Sequence, residues 1–316
     1  NGIDMVNNKT MTFIKGHSSL KNTNGRLDYE SSPMFFDSER GNSRTFFSNR
    51  GPGGNYAGEY TLEGNSNFFQ YTTSGYKWGY GSTQATQCLN SYGQRYLGYT
   101  FRAKPKFFDV VKWTGDGTLN RQISHNLQSI PYFMIIKRID DINNLQYPMF
   151  DSLFIINQSP STSSFKYKLY PEMEGSHTTY GQQGVWYSDQ SGDPGNVGAQ
   201  TNLGYQSNQT FWLKYNMGNG TNVVMPTNSN FTVGHSASHA SGFTNENNGE
   251  YIAYLWASDD SSSSMIKCGQ FGGANFNVNL GWRPQTIWTF RYSGTIGGIT
   301  SGSFTDPDLL MDKKLY

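Results

Sequence analysis

The chain has 316 residues and a formal net charge of +1, with 15% of residues charged and 16% aromatic. That length holds about two average domains. The near-neutral charge carries no basic stripe, which argues against nucleic acid as a partner, and no apolar run approaches the ~18–20 residues of a membrane helix. Gly (36), Tyr (21) and Phe (21) are abundant, and polar turn-forming residues fill much of the rest. Strands favour aromatic and β-branched residues while helices favour Ala, Leu, Glu and Lys, so the composition predicts strands joined by polar turns. The opening residues, NGIDMVNNKT, show no basic segment followed by an apolar one, and so predict no signal peptide.

In chain order, Phe13-Ile-Lys15 and Pro33-Met-Phe35 are the first strand-like runs, followed by Tyr76-Lys-Trp-Gly79 and the stretch ending at Ala103 that carries Tyr96 and Tyr99. The run Phe107–Trp113 predicts a strand, and Thr114-Gly-Asp-Gly117 a tight turn after it. Ile123-Ser-His125-Asn-Leu127 leads to Pro131 and an apolar strand over Phe133–Lys137. Tyr251–Trp256 is apolar at both parities, the pattern of a strand buried on both faces. Ser264–Cys268, a Gly-rich turn over Gly269–Gly273, and the alternation of Phe276, Val278 and Leu280 with Asn277 and Asn279 predict a further hairpin. Thr286–Phe290 predicts one more strand, and no stretch holds a 3.6-residue apolar period beyond a turn or two.

These runs repeat. Tyr96 and Tyr99 match Tyr251 and Tyr254, Tyr76–Gly79 matches Phe231–Gly234, and Val111-Lys112 matches Ile266-Lys267, all at an offset of 155. Asn126-Leu127, Pro131 and Arg138 match Asn279-Leu280, Pro284 and Arg291 at 153. At the front, Phe13–Lys15 matches Ile135–Lys137 at 122, and Pro33–Phe35 matches Pro148–Phe150 at 115. The reading is an all-β chain of tandem jelly-roll or sandwich units: an incomplete unit over 1–106, a complete one over 107–257, and the opening of a third over 258–316. The complete unit carries an insert at about 159–230, rich in Ser, Gly, Gln and Asn. It also contains Tyr180, Trp186, Tyr187 and Trp212, too many aromatics for a disordered linker. It predicts ordered loops or an inserted hairpin on one sheet edge.

The chemistry-bearing residues read as structural. The two cysteines are too few for a disulfide scaffold or a zinc site, and no G-x-S-x-G elbow occurs. Cys268 aligns with Trp113 and Cys88 with the region of Phe243, so both predict packing thiols. His125 aligns with the inward-facing Val278 and predicts a satisfied core histidine. His235 and His239 lie in a Ser/Gly-rich stretch with no third ligand nearby, and Asp140, Asp141, Asn143 and Asn144 lack EF-hand spacing, so no metal or cofactor is expected. Glu172, Glu174, Asp189 and Asp193 all lie in the insert, where loop carboxylates read as solvated surface groups rather than a glycosidase pair. The aromatics Tyr180, Trp186, Tyr187 and Trp212 are the candidate ligand-binding set: flat rings stack on sugars, and the surrounding Asn, Gln and Ser bond hydroxyls. The bland alternative is a satellite core that pins the loops.

The motif Phe107-Phe-Asp-Val-Val-Lys-Trp-Thr-Gly-Asp-Gly117, then Ile123–Leu127, Pro131 and Met134-Ile-Ile-Lys137, and the closing Phe231–Gly234 and Tyr251–Leu255, resemble the tandem repeats of bacteriophage virion proteins, particularly of phages of marine bacteria and cyanobacteria. The resemblance runs unit by unit through the chain and departs from it in the first unit and the insert. It implies concanavalin-like β-sandwich repeats in a virion structural protein, most often a tail fibre, with no catalytic residues to carry over. It further implies a solvent-exposed particle component released by lysis without a signal peptide, other virion proteins as partners, a homo-oligomer with a trimer favoured, and a host-surface glycan as ligand. The alternatives are a capsid decoration protein of the same fold, a polysaccharide depolymerase, and a cellular lectin or adhesin.

Overall fold

The computed structural model describes residues 3–16, 34–42, 44–47, 60–61, 69–79, 96–139, 152–156, 167–169, 185–187, 217, 219, 224–234, 244–257, 265–267 and 279–283. These residues are all-β: they form fifteen strands and no helix, and so no helix long and apolar enough to cross a membrane. The strands are β1 (Thr10–Gly16), β2 (Met34–Asp37), β3 (Arg44–Phe47), β4 (Tyr60–Thr61), β5 (Phe69–Thr72), β6 (Gly75–Trp78) and β7 (Tyr96–Arg102). They continue with β8 (Phe108–Thr114), β9 (Arg121–Ser124), β10 (Pro131–Arg138), β11 (Ser152–Ile156), β12 (Tyr167–Leu169), β13 (Val185–Tyr187), β14 (Asn230–Val233) and β15 (Glu250–Ala257).

Two larger sheets collect most of them. One has the order β4-β3-β2-β1-β7, the other β13-β12-β11-β10-β15-β8; every pairing is antiparallel. Two short two-stranded sheets, β5-β6 and β9-β14, complete the set. The larger sheets share strand order and register. In the first, Phe13 lies opposite Tyr99 and Ile14 opposite Gly98. In the second, Ile135 lies opposite Tyr254 and Ile136 opposite Ala253. The sequence matches Phe13 with Ile135 and Tyr99 with Tyr254, so hydrogen-bonded partners in one sheet map onto partners in the other. One match moves: β1 places Met34 and Phe35 opposite Ile14 and Phe13, and β10 places Leu153 and Phe154 opposite Ile136 and Ile135. The structural counterpart of Pro33–Phe35 therefore lies four residues beyond Pro148–Phe150, because register rather than local similarity decides which side chain faces which layer.

Burial follows the pattern of the sequence. Along β9 and the residues after it, Ile123, His125 and Leu127 are buried while Gln122, Ser124 and Asn126 are exposed, the alternation of a half-buried strand. β15 is buried at every position after Glu250, as its apolar character at both parities predicts. One face of the second sheet (Trp113, Met134, Ile136, Tyr251, Leu255) packs with Ile123, Leu127, Phe231 and Val233 of the β9-β14 layer. The first sheet has its equivalent, Ile14, Met34 and Phe36 under Phe69 of the β5-β6 hairpin. The remaining faces meet each other: Met11, Phe13 and Phe35 join Phe108, Val110, Phe133, Ile135, Ile252, Tyr254 and Trp256 in one cluster. Phe35 stacks on Tyr254 at 5.8 Å, and Phe101 meets Trp256 edge-on at 5.7 Å. Phe101 and Trp256 occupy matching positions in the two sheets, so the sheets present the same face to one another. Each fully buried aromatic of this cluster contributes about 1.5–3 kcal/mol.

Candidate functional site

Three of the polar features among the described residues are buried or interlocked enough to be weighed as sites. The first lies between the sheets. The turn after β2 folds Arg40 back so that its Nε donates to Asp37 Oδ2 at 2.5 Å and its backbone N–H to Oδ1 at 2.8 Å. The Tyr254 hydroxyl of the opposing sheet donates to the same Oδ2 at 2.5 Å. Arg40 Nη2 donates to the Phe35 carbonyl at 2.7 Å and lies 3.2 Å from the Tyr254 oxygen. The Asp37 and Arg40 side chains are 0% exposed. Burial pushes the Tyr254 hydroxyl well above its usual value; Arg40 opposes this shift, while Asp37 adds to it. The hydroxyl therefore stays protonated and remains a donor. Ion pair and tyrosine together form a polar pin through an otherwise aromatic interface.

The second feature is the end of the second sheet where the Thr114–Thr118 turn meets the 244–250 loop. Gly115 donates to the Gly249 carbonyl at 2.6 Å, Gly117 to Asn245 O at 2.9 Å, and Asn248 to Gly115 O at 2.9 Å. Asn245 Nδ2 bridges Asp116 Oδ1 at 2.6 Å and the Thr118 carbonyl at 2.8 Å. Burial pushes the Asp116 carboxyl up, but hydrogen bonds from Thr118 and Asn245 and the Arg121 charge outweigh it and hold the group below the usual carboxylate value. A Cβ on Gly115 would meet Glu246 O at 1.9 Å, so the two loops interlock only because that position is glycine.

The third is His125, 6% exposed and lying parallel to Phe231 at 6.3 Å. Leu127 N–H donates to its Nδ1 at 3.2 Å, while Nε2 is buried without a partner at hydrogen-bonding geometry. Burial lowers its affinity for a proton; the Asp109 carboxylate and the Thr227 backbone pull the other way without reversing it. Asp109 itself is committed to the backbone N–H groups of Val110 (2.9 Å) and Asn126 (2.7 Å). The ring faces inward, as its match to Val278 predicts, but it is not the satisfied histidine expected from sequence: Nδ1 fixes the turn at Leu127 while Nε2 is buried with no hydrogen-bond partner.

Of the aromatics singled out from sequence, Trp186 and Tyr187 fall on β13, last in the order of the described strands of the second sheet, opposite Lys168 and Tyr167 of β12. Tyr180 and Trp212 lie outside the described residues, as do Cys88, Cys268, His235, His239, Asp140, Asp141, Asn143, Asn144, Glu172, Glu174, Asp189 and Asp193. Among the described residues no group of three or more His, Cys, Asp or Glu side chains is placed to hold a metal. Sequence reasoning missed the Asp37–Arg40–Tyr254 pin, whose tyrosine is 217 positions from its aspartate. It also missed a partly exposed aromatic strip, in which Tyr76 lies on Phe69 at 5.0 Å and Trp78 meets Tyr96 at 5.0 Å. The only advance sign of that strip was the match of Tyr76–Gly79 to Phe231–Gly234.

No family model, no curated protein and no solved structure matches this chain.

Proposed function

We propose that the chain is a non-enzymatic structural protein of a bacteriophage particle, a tail fibre or tail-associated component built from tandem jelly-roll, concanavalin-like units, with loops that engage a host-surface glycan. The observation that supports this reading most is the repetition of one sheet, with its register, in the two halves of the described chain. The repeated positions are packing residues: Tyr96 with Tyr251, Tyr99 with Tyr254, Phe101 with Trp256. Arrays of one supersecondary unit gain stability from such nearest-neighbour packing. The pairing of β12 with β13 supports the glycan part, since it puts Trp186 and Tyr187 on the last of the described strands of the second sheet. Particle partners and a three-fold homo-oligomer belong to the same proposal.

The test is a reconstruction of the particle that contains the chain, followed by glycan arrays with the wild type and a Trp186→Ala, Tyr187→Ala variant. Three-fold density at the tail and array binding lost in the variant support the reading. Density spread over the capsid lattice overturns it in favour of a decoration protein. Absence from any particle leaves a lectin or depolymerase, which turnover of a bound polysaccharide separates.

A further inference from the structure

We propose that the outer edge of β8 is closed to strand addition by side chains of its own molecule, so that a second copy of the chain cannot extend the second sheet there. The inference is independent of the phage reading. β8 stands last in the order of the described strands of the second sheet, beside β15. An edge strand offers its outward N–H and C=O groups to any extended chain. Which groups of β8 face outward follows from its bridge to Lys104. Lys104 N donates to Phe108 O at 2.9 Å and Phe108 N to Lys104 O at 3.2 Å, so both Phe108 groups turn away from β15. Backbone direction alternates along a strand, which turns Val110, Lys112 and Thr114 outward too, and Asp109, Val111 and Trp113 toward β15.

The outward groups are taken up one after another. Phe108 is held by Lys104. Val110 N donates to Oδ1 of the neighbouring Asp109 at 2.9 Å, and Val110 O accepts from Lys9 Nζ at 3.1 Å. Lys9 directly precedes β1, so this cap is supplied by the first sheet, and its Nζ also lies 3.6 Å from Glu39. Thr114 O accepts from Arg121 Nη1 at 2.5 Å. Among the described residues this leaves Lys112 N, Lys112 O and Thr114 N open. The gap is occupied by an exposed lysine whose Nζ lies 3.2 Å from Glu250.

Two copies meeting at this edge pair antiparallel across a two-fold axis, and the gap fixes the centre: Lys112 against Lys112 of the second copy, with Val110 against Thr114 on either side. The central pair sets like charges directly opposite, which is unfavourable. In each flanking pair the Val110 donor and the Thr114 acceptor are committed to Asp109 and Arg121, and the Val110 acceptor that Thr114 N needs is committed to Lys9. Only the central bonds remain, against a charge clash. A homo-oligomer of this chain is therefore built on another face.

Amide hydrogen exchange of the wild-type chain tests the edge. Val110 should exchange slowly although it faces outward, while Lys112 and Thr114 should exchange about tenfold or more faster than Val111, which pairs with Ala253 of β15. Protection of Lys112 equal to that of Val111 overturns the proposal, and this measurement decides even if a variant fails to fold. Lys9→Met combined with Lys112→Thr tests the guarding, since it frees Val110 O and removes the like charges while Asp109 and Arg121 stay in place. Sedimentation of the double variant should show a species of about twice the wild-type mass, and exchange at positions 112 and 114 should slow as that species forms. Association no greater than that of the wild type, or association that leaves positions 112 and 114 exchanging as before, overturns the proposal.

Discussion

Replacing Arg40 by alanine exposes the energetics of the contact between the sheets. The substitution leaves the Asp37 carboxylate 0% exposed with its counter-charge gone. Stranding one partner of a buried ion pair costs about 3–5 kcal/mol. Asp37 keeps two donors, the backbone N–H of residue 40 at 2.8 Å and the Tyr254 hydroxyl at 2.5 Å, which places the expected loss near the lower end. The Phe35 carbonyl loses the Arg40 donor but keeps Thr45 Oγ1 at 3.0 Å, so it adds little. Asp37→Leu combined with Arg40→Met removes both charges, and the pair should cost clearly less than Arg40→Ala alone, because no bare charge remains. Urea denaturation followed by far-UV circular dichroism measures both variants against the wild type. If Arg40→Ala costs less than about 1 kcal/mol, as surface ion pairs do, the pin is not buried and the sheets do not meet as described.

Three more outcomes follow from particular contacts. Gly115→Ala should lower stability by at least about 2–3 kcal/mol, since its Cβ would meet Glu246 O at 1.9 Å and backbone must shift; thermal denaturation reads this, and a neutral result refutes the interlocked loops. Trp256→Ala should cost roughly 3–5 kcal/mol and Phe101→Ala less, since its ring is only partly buried, and the two should be non-additive by ~0.5–3 kcal/mol, because the rings touch; simple additivity in a double-mutant cycle would separate the sheets. The native His125 holds its proton less tightly than the ordinary 6.5, so below that pH the unfolded chain takes up a proton the native state resists. Stability should therefore fall as pH drops from about 6.5 through the lowered native value and then level off, and His125→Gln should flatten that part of the pH profile of the urea midpoint.

The local elements were legible in the sequence because their signals are local. β8, β10 and β15 fall within a residue or two of Phe107–Trp113, Phe133–Lys137 and Tyr251–Trp256. The buried parity of His125 follows from its match to Val278. The pairing of β1 with β7 and of β10 with β15 left its trace as two independent matches whose offsets differ. What could not be read is which layers meet. Nothing local to Asp37 and Arg40 points to Tyr254, and a Ser-Glu-Arg-Gly turn after a strand looks like solvent-facing chain. Both residues are buried because the opposing sheet covers them. The placement of Pro33–Phe35 against Pro148–Phe150 failed for a related reason: similarity of a Pro-Met-Phe triplet does not specify register, whereas pairing with β10 does. The insert aromatics were found by composition, which names residues without arranging them.

The pairing of β8 with β15 has a kinetic consequence. Val110 and Tyr254 are partners although 143 residues separate them in the chain, and Ile123 finds Phe231 across 107. Closing such loops brings no contact energy until the ends meet, and long-range β pairings slow folding by orders of magnitude relative to local ones. The aromatic cluster shared by both larger sheets should form late, after each sheet has gathered its own strands, and it must be broken before either can open. A chain of this wiring should fold slowly for its size, with the contact between the sheets as the last step, which stopped-flow refolding would read.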